Sequence, residues 1–368
     1  MVKKALIFTT KQGHETLSTA ITEKLIKNKW TVHEVKYENK SRIHQWLHRH
    51  SFWLMRLVAK PLMSPLLIPI EKVILRHAYL DYINQNVNDF KPDVVISTSY
   101  LLNPSIEYWR KKSKFVFINI ITDPKTFLPL NPAMHADMNF VFDKNQEHNL
   151  KNLHPKIKTT TIGWLTKSCF STTITKIEMR KKLGIDTLLP TILITSGSLG
   201  NQFSSNIIMF LLVHKIPCQV LFVAGSNISL KKRVSVITKL FSKSKTKVHV
   251  FGFVDTINEL MIASDLVVGK AGPNTIFESV MSLRPFLATN YGGHQEIGNF
   301  EIIKDHNLGY TAQNIVVVIK ILNMILNNPK EVEKFNNSLI TMKRYLLSSE
   351  SKFLKTTNLL FDQCKKSS

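Results

Sequence analysis

The sequence predicts an α/β protein of two doubly wound domains, each on a parallel sheet. Three observations predict it. Short β-branched and aromatic runs alternate with longer helical patterns along the chain, as repeated βαβ units require. The 368 residues, 44% hydrophobic, suffice for two cores of ordinary size. The runs also fall into two series, separated by a stretch of different composition.

In the first series strands are expected at 5–9 (ALIFT), 31–35 (TVHEV), 94–98 (VVIST), 115–120 (FVFINI) and 139–143 (NFVFD). In the second they are expected at 191–196 (TILITS), 219–224 (QVLFVA), 247–252 (KVHVFG), 265–269 (DLVVG) and 285–289 (PFLAT). Between the series, a strand ends at Gly163 and a Ser/Thr-rich stretch leads into a helix stopped by Gly184. The expected domains are therefore 1–163 and 164–339. Two such domains in tandem leave a cleft between the C-terminal edges of their sheets, where ligands of open α/β sheets bind.

Lys and Arg number 49 against 26 acidic residues, a formal net charge of +23. An excess spread over both halves points to an anionic partner: nucleic acid, acidic lipid or a phosphorylated substrate. Cys169, Cys218 and Cys364 show no C-x-x-C spacing, so neither a disulfide framework nor a zinc site is indicated, and a reducing cytoplasm fits. The start MVKKALIFTT reads as a first strand rather than a signal peptide. No window of 18 uninterrupted apolar residues occurs, so any membrane association is expected to be peripheral.

The stretch GKAGPNTIFES (269–279) carries the most chemistry. Gly269 ends a buried strand, Gly272 suits a close backbone approach and Pro273 a first helical turn, so amides there are expected to face an anionic phosphate. Asn274 and Glu278 are four apart and share a helix face, which places a carboxylate one turn below the phosphate end, where it can accept both hydroxyls of a ribose. The plain alternative is a surface Glu278 and a capping Asn274. Beyond the next strand, YGGHQEIGNFEII offers Gln295 and Glu296 at a helix start, an amide and a carboxylate suited to adjacent sugar hydroxyls, followed by Asn299. After the first strand of the second series, TSGSLGNQ opens a helix; Gly197, Ser198 and Gly200 let backbone amides reach a phosphate.

Residues 269–303 resemble the C-terminal domain of family 28 glycosyltransferases, in particular the lipid galactosyl- and glucosyltransferases that act on diacylglycerol. That pattern runs K/A-x-G-G-x-T-x-x-E-A and, past a strand, P-G-Q-E-x-x-N. Gly272, Thr275 and Glu278 match its first block, Gln295, Glu296 and Asn299 its second, while His294 stands where the family usually has Gly. The resemblance implies a GT-B fold, with Glu278 on the ribose of UDP, Gly272 to Thr275 on the diphosphate, and Gln295 with Glu296 on the hexose. It further implies backbone contacts to uracil around Phe253 or Val254, and a final helix from about 340 to 368 that packs back on the first domain.

In the first domain, Gly13 and His14 start a helix at the end of the first strand, and an imidazole there can take a proton from an acceptor hydroxyl. Asp123, at the end of a strand in NIITDPKTF, is the other candidate base, or the group that orients His14. The family carries S-x-G-x-G-H at the first place and T-D followed by His-x-x-Trp at the second. Here Gly13-His14 and Thr122-Asp123 match, but PKTFLPLNPAMH lacks the His-x-x-Trp element. No D-x-D motif sits at a strand end, so no obligatory metal and no cofactor is expected, the leaving UDP being stabilised by amides, helix dipoles and basic side chains.

Residues 42–60 place Ile43, Trp46, Leu47, Trp53, Leu54, Leu57 and Val58 on one helical face, with Arg42, Arg49 and Arg56 repeating every seven residues beside it. Tryptophan and arginine flanking an aliphatic stripe suit an anionic lipid surface, although a core-packing helix with snorkelling arginines has the same pattern.

The reading is an inverting transferase that moves a hexose from a UDP-sugar to a lipid acceptor, diacylglycerol first, on the inner face of the cell membrane. Its alternatives are transfer of N-acetylglucosamine to an undecaprenyl-linked or non-lipid acceptor, and a non-catalytic nucleotide-sugar sensor. Nucleic-acid binding is disfavoured, because the aromatics cluster with aliphatics rather than along a basic stripe.

Overall fold

The structure, a computed structural model, describes residues 2–11, 14–38, 67–196, 202–291 and 296–366. The expected membrane face (Arg42, Trp46, Arg49, Trp53, Arg56) and Gly197, Ser198, Gly200 and Gln295 lie outside the described residues. The chain splits into two compact units, one of 1–168, 293–298 and 345–368, the other of 169–292 and 299–344. Each is built on a six-stranded, wholly parallel sheet.

The first sheet contains β1 (Lys3–Thr10), β2 (Trp30–Tyr37), β3 (Val94–Ser97), β4 (Val116–Ile120), β5 (Met138–Val141) and β6 (Thr159–Thr161), in the order β2-β1-β3-β4-β5-β6. The chain leaves β1 for β2 on one side and returns to β3 on the other, so the crevice between the ends of β1 and β3 is the topological switch point. Helices α1 (Glu15–Lys27), α2 (Ile68–Phe90), α3 (Asn103–Arg110) and α4 (Lys144–Leu153) connect the strands. Strands covered on both faces read as continuous apolar runs: Ala5, Leu6, Ile7 and Phe8 are all fully buried.

The second unit opens with α5 (Lys176–Lys182), started by a capping box of Thr175 and Glu178. Its sheet contains β7 (Thr191–Thr195), β8 (Gln219–Val223), β9 (Lys247–Phe251), β10 (Leu266–Lys270), β11 (Phe286–Asn290) and β12 (Gly309–Thr311), in the order β12-β11-β10-β7-β8-β9. Here the switch point lies between β7 and β10. Helices α6 (Gln202–Val213), α7 (Ile228–Leu240), α8 (Ile257–Ala263), α9 (Pro273–Met281), α10 (Ile297–Asp305) and α11 (Ile315–Asn327) follow successive strands. One core joins Ile207, Ile208 and Leu211 of α6 and Leu322 and Ile325 of α11 to Ile192, Ile194, Val220 and Phe222 of the sheet.

The last helix, α12 (Asn336–Lys366), belongs from Tyr345 onward to the first unit. There Phe353 meets Phe140 at 5.8 Å between ring centroids and Phe361 meets Trp30 at 5.5 Å. Gly163, at φ +88°, lies against it: a Cβ there would fall 2.1 Å from Ser349 Oγ, so only glycine permits the approach. Lys24, buried on α1, reaches Glu350 at 3.1 Å.

Candidate functional site

In the second unit the site is built where β10 meets β7. Gly269 brings these strands together, since a Cβ on it would lie 2.4 Å from Thr195 Oγ1 and 3.2 Å from its carbonyl oxygen. The register against β11 shifts between Gly269 and Lys270, an irregularity that redirects the chain into the turn. Ala271 N–H donates to the Asn290 carbonyl at 2.8 Å and Gly272 N–H to the Lys270 carbonyl at 2.7 Å.

Gly272 is the N-cap of α9, with Pro273 following in the first turn, and no side chain caps the helix. The amide end of the helix dipole is therefore presented at the switch point without an acceptor supplied by its own cap. Gly272 has an ordinary φ of −78°, and among the described residues a Cβ on it would meet only Lys270 Cε at 3.8 Å and Thr275 Oγ1 at 3.9 Å. Among the described residues nothing requires glycine there. The Lys270 side chain runs along this turn, adding a cation beside the helix start; sequence reasoning quoted Lys270 without singling it out, although its place before the glycine turn was the available signal.

Asn274 and Glu278 lie one above the other on α9, and Glu278 is 6% exposed among buried Ile276, Phe277 and Val280. That excludes the surface alternative for Glu278. A carboxylate held in such surroundings costs desolvation energy that a purely structural helix would avoid. Asn299 on α10, 1% exposed, donates from Nδ2 to the Ala271 carbonyl at 2.7 Å, so its amide fixes the shape of the turn. Phe253 and Val254 follow β9, and the Phe253 ring is 73% exposed. The ends of β9 and β10 are three strand spacings apart, about 14 Å. The structure thus gathers Gly272, Pro273, Asn274, Thr275, Glu278 and Asn299 around one turn; Glu296 opens the turn into α10 and is grouped with the first unit.

In the first unit, His14 is the N-cap residue of α1 at the end of β1, partly exposed, with no side-chain cap bond. Across the switch point, Thr98 Oγ1 donates to Thr9 Oγ1 at 2.8 Å, joining the ends of β3 and β1. Asp123 follows β4 and is 9% exposed. Its carboxylate accepts from Asn131 Nδ2 at 2.8 Å and its carbonyl from Gln146 Nε2 at 2.6 Å.

Tyr100, on the turn after β3, was not foreseen as part of this region. Burial, and then the negative charges of Asp123 and Glu71, push its phenol up to about 12, so it stays a neutral hydroxyl at physiological pH. Burial also raises the Glu71 carboxyl on the first turn of α2, whose Oε2 is enclosed without a hydrogen-bond partner among the described residues. This edge of the sheet is thus lined by a half-exposed imidazole, a clamped carboxylate and a neutral phenol, groups able to take or share a hydroxyl proton.

Among the described residues there is no group of three or more His, Cys, Asp or Glu side chains able to hold a metal, and no helix long and apolar enough to cross a membrane.

Residues 191–345 match the glycosyltransferase family 28 C-terminal domain. Monogalactosyldiacylglycerol synthase 1 of Arabidopsis thaliana is 27% identical over 257 residues, which cover 65% of this chain and 46% of the relative. The processive diacylglycerol β-glucosyltransferase of Staphylococcus haemolyticus is 26% identical over 175 residues, covering 47% of this chain and 44% of that one. The chain spans about half the length of the curated relatives it matches. Among solved structures, Acinetobacter baumannii MurG superposes with a TM-score of 0.62 at 12% identity over 99% of both chains. Anabaena HepE in complex with UDP superposes with a TM-score of 0.60 at 13% identity, over 96% of this chain and 99% of that one. The fold is GT-B, two Rossmann-like units.

Proposed function

We propose that this chain, whose second unit carries a family 28 glycosyltransferase C-terminal domain, is an inverting glycosyltransferase that moves a hexose from a UDP-sugar to the hydroxyl of a membrane lipid, diacylglycerol first. The observation that carries the reading is the turn Gly272–Thr275 with buried Glu278 one helical turn below it, at the switch point of the second sheet. The relatives named for diacylglycerol glycosylation support the acceptor class. The neighbour solved with UDP supports the donor.

In this reading the α9 amides and Lys270 face the diphosphate, Glu278 accepts the ribose hydroxyls, and the backbone at Phe253 and Val254 borders the uracil. Gln295 and Glu296 read the hexose. On the acceptor side, Asp123 or His14 takes the proton of the attacking hydroxyl. A bond then forms between that oxygen and the anomeric carbon as the bond to the β-phosphate oxygen breaks, inverting the centre. UDP leaves with the electron pair, and the negative charge developing on it is met by the helix dipole and Lys270. The arrangement needs no metal ion for that charge. The reaction is placed at the inner face of the membrane, with residues 42–60 and the basic surface holding the protein on anionic lipid.

The test incubates the full chain with radiolabelled UDP-glucose, UDP-galactose or UDP-N-acetylglucosamine and vesicles containing diacylglycerol or an undecaprenyl-linked acceptor. Labelled glycosyldiacylglycerol supports the reading. Binding of UDP without label transfer to any lipid points to a sensor instead.

A further inference from the structure

We propose that Asn131 is a positioning residue, fixing the orientation and the ionised form of the Asp123 carboxylate through an amide bond that a buried ladder of three further asparagines holds in place. The inference rests on the reading of Asp123 as part of the acceptor site.

Asn131 Nδ2 donates to Asp123 Oδ2 at 2.8 Å, and its own Oδ1 accepts from Leu128 N–H at 3.0 Å. These two bonds fix which end of the amide faces the carboxylate, because a flipped amide would set its NH2 against the Leu128 donor. The Asn131 carbonyl in turn accepts from Asn119 Nδ2 at 2.8 Å and Asn103 Nδ2 at 3.3 Å. Asn103 also donates to Asn119 Oδ1 at 3.0 Å, and Asn119 to Asn139 Oδ1 at 2.8 Å. Asn139 is pinned by Ala133 N–H at 2.9 Å and donates to the Ala133 carbonyl at 2.9 Å. All four asparagines are at most 3% exposed.

The amides of Asn103, Asn119 and Asn139 donate only to backbone carbonyls and to one another's side-chain oxygens, as a ladder that served the loop alone would. Asn131 alone directs its N–H to a carboxylate. Hydrogen bonding to the charged form favours that form, and the bond is strengthened in a buried setting. Gln146 fixes the Asp123 main chain from the other side. Of the other titratable groups, Tyr100 faces Asp123 from the turn after β3, with Glu71 and Tyr79 of α2 behind it. Glu147 of α4 is turned to Lys144, Lys151 and Thr161, and Lys125 lies two residues along the loop.

The experiment follows the Asp123 carboxyl carbon by NMR in the full chain labelled with 13C-aspartate, the signal being the one lost in Asp123→Asn. Its titration midpoint in the wild type is the reference for the variants. Asn131→Ala should raise it by about one pH unit, and Asn131→Asp further, since two carboxyls then compete for one site. The acid limb of the kcat–pH profile for lipid glycosylation should move by the same steps, with KM for the UDP-sugar unchanged. An unchanged midpoint in either folded variant overturns the proposal. If Asn131→Ala does not fold, the nearly isosteric Asn131→Asp carries the comparison. Full transfer by Asp123→Asn would instead remove Asp123 from the reaction while leaving the titration result standing.

Discussion

At the scale of single residues, two glycines three positions apart do different work. Gly269 is required by packing: Gly269→Ala forces a methyl onto Thr195, and overpacking of this kind costs about 1–3 kcal/mol in chemical denaturation. Gly272 has room for a methyl, so Gly272→Ala should melt within about 1 °C of wild type yet lose at least tenfold in affinity for UDP by calorimetry, the methyl occupying space the diphosphate needs. Equal affinity would place the phosphate elsewhere. Glu278→Ala should abolish most of the thermal stabilisation UDP gives the wild type, and Glu278→Gln, which keeps shape but not charge, should recover only part. The residues of this turn were legible as a group because they are contiguous in sequence. The role of Asn299 was not: only the fold brings its amide to the Ala271 carbonyl, 28 positions back. The Asn131–Asp123 pair was hidden for the same reason, its ladder drawing on four separate segments.

Among the elements, apolar runs marked the strands closely: 265–269 and 285–289 were expected and β10 and β11 occupy Leu266–Lys270 and Phe286–Asn290. The strand missed was β12, three partly exposed residues with no apolar run to announce it. One helix contributes a pH dependence of its own. Glu147 on α4 is partly desolvated, which raises its pKa, but hydrogen bonds from Lys151, Lys144 and Thr161 outweigh that and hold it down at about 2. Because the folded value lies below the unfolded one, its stabilisation is complete above about 4.5 and is lost as pH falls from there to about 2. Glu147→Gln should therefore lower the urea midpoint at pH 7 and flatten its acid dependence between pH 5 and pH 2; parallel curves for the two proteins would contradict the depressed value.

For the molecule as a whole, a net charge of +23 predicts association with anionic vesicles that weakens with salt. Co-sedimentation with phosphatidylglycerol vesicles should fall several-fold between 50 mM and 500 mM NaCl, and neutral vesicles should retain little protein. Retention independent of both charge and salt would assign membrane binding to apolar insertion alone. Sugar transfer should survive EDTA without measurable loss, in keeping with a leaving group met by amides and Lys270.

The seating of α12 from Tyr345 onward against β2, β5 and α1 has a consequence for biogenesis. The first unit is sealed by a segment that follows the second in the chain, so Trp30, Phe140 and Lys24 wait through synthesis of the entire second unit before their partners emerge. A nascent chain stalled before residue 345 therefore exposes these side chains, making it a natural client for chaperones.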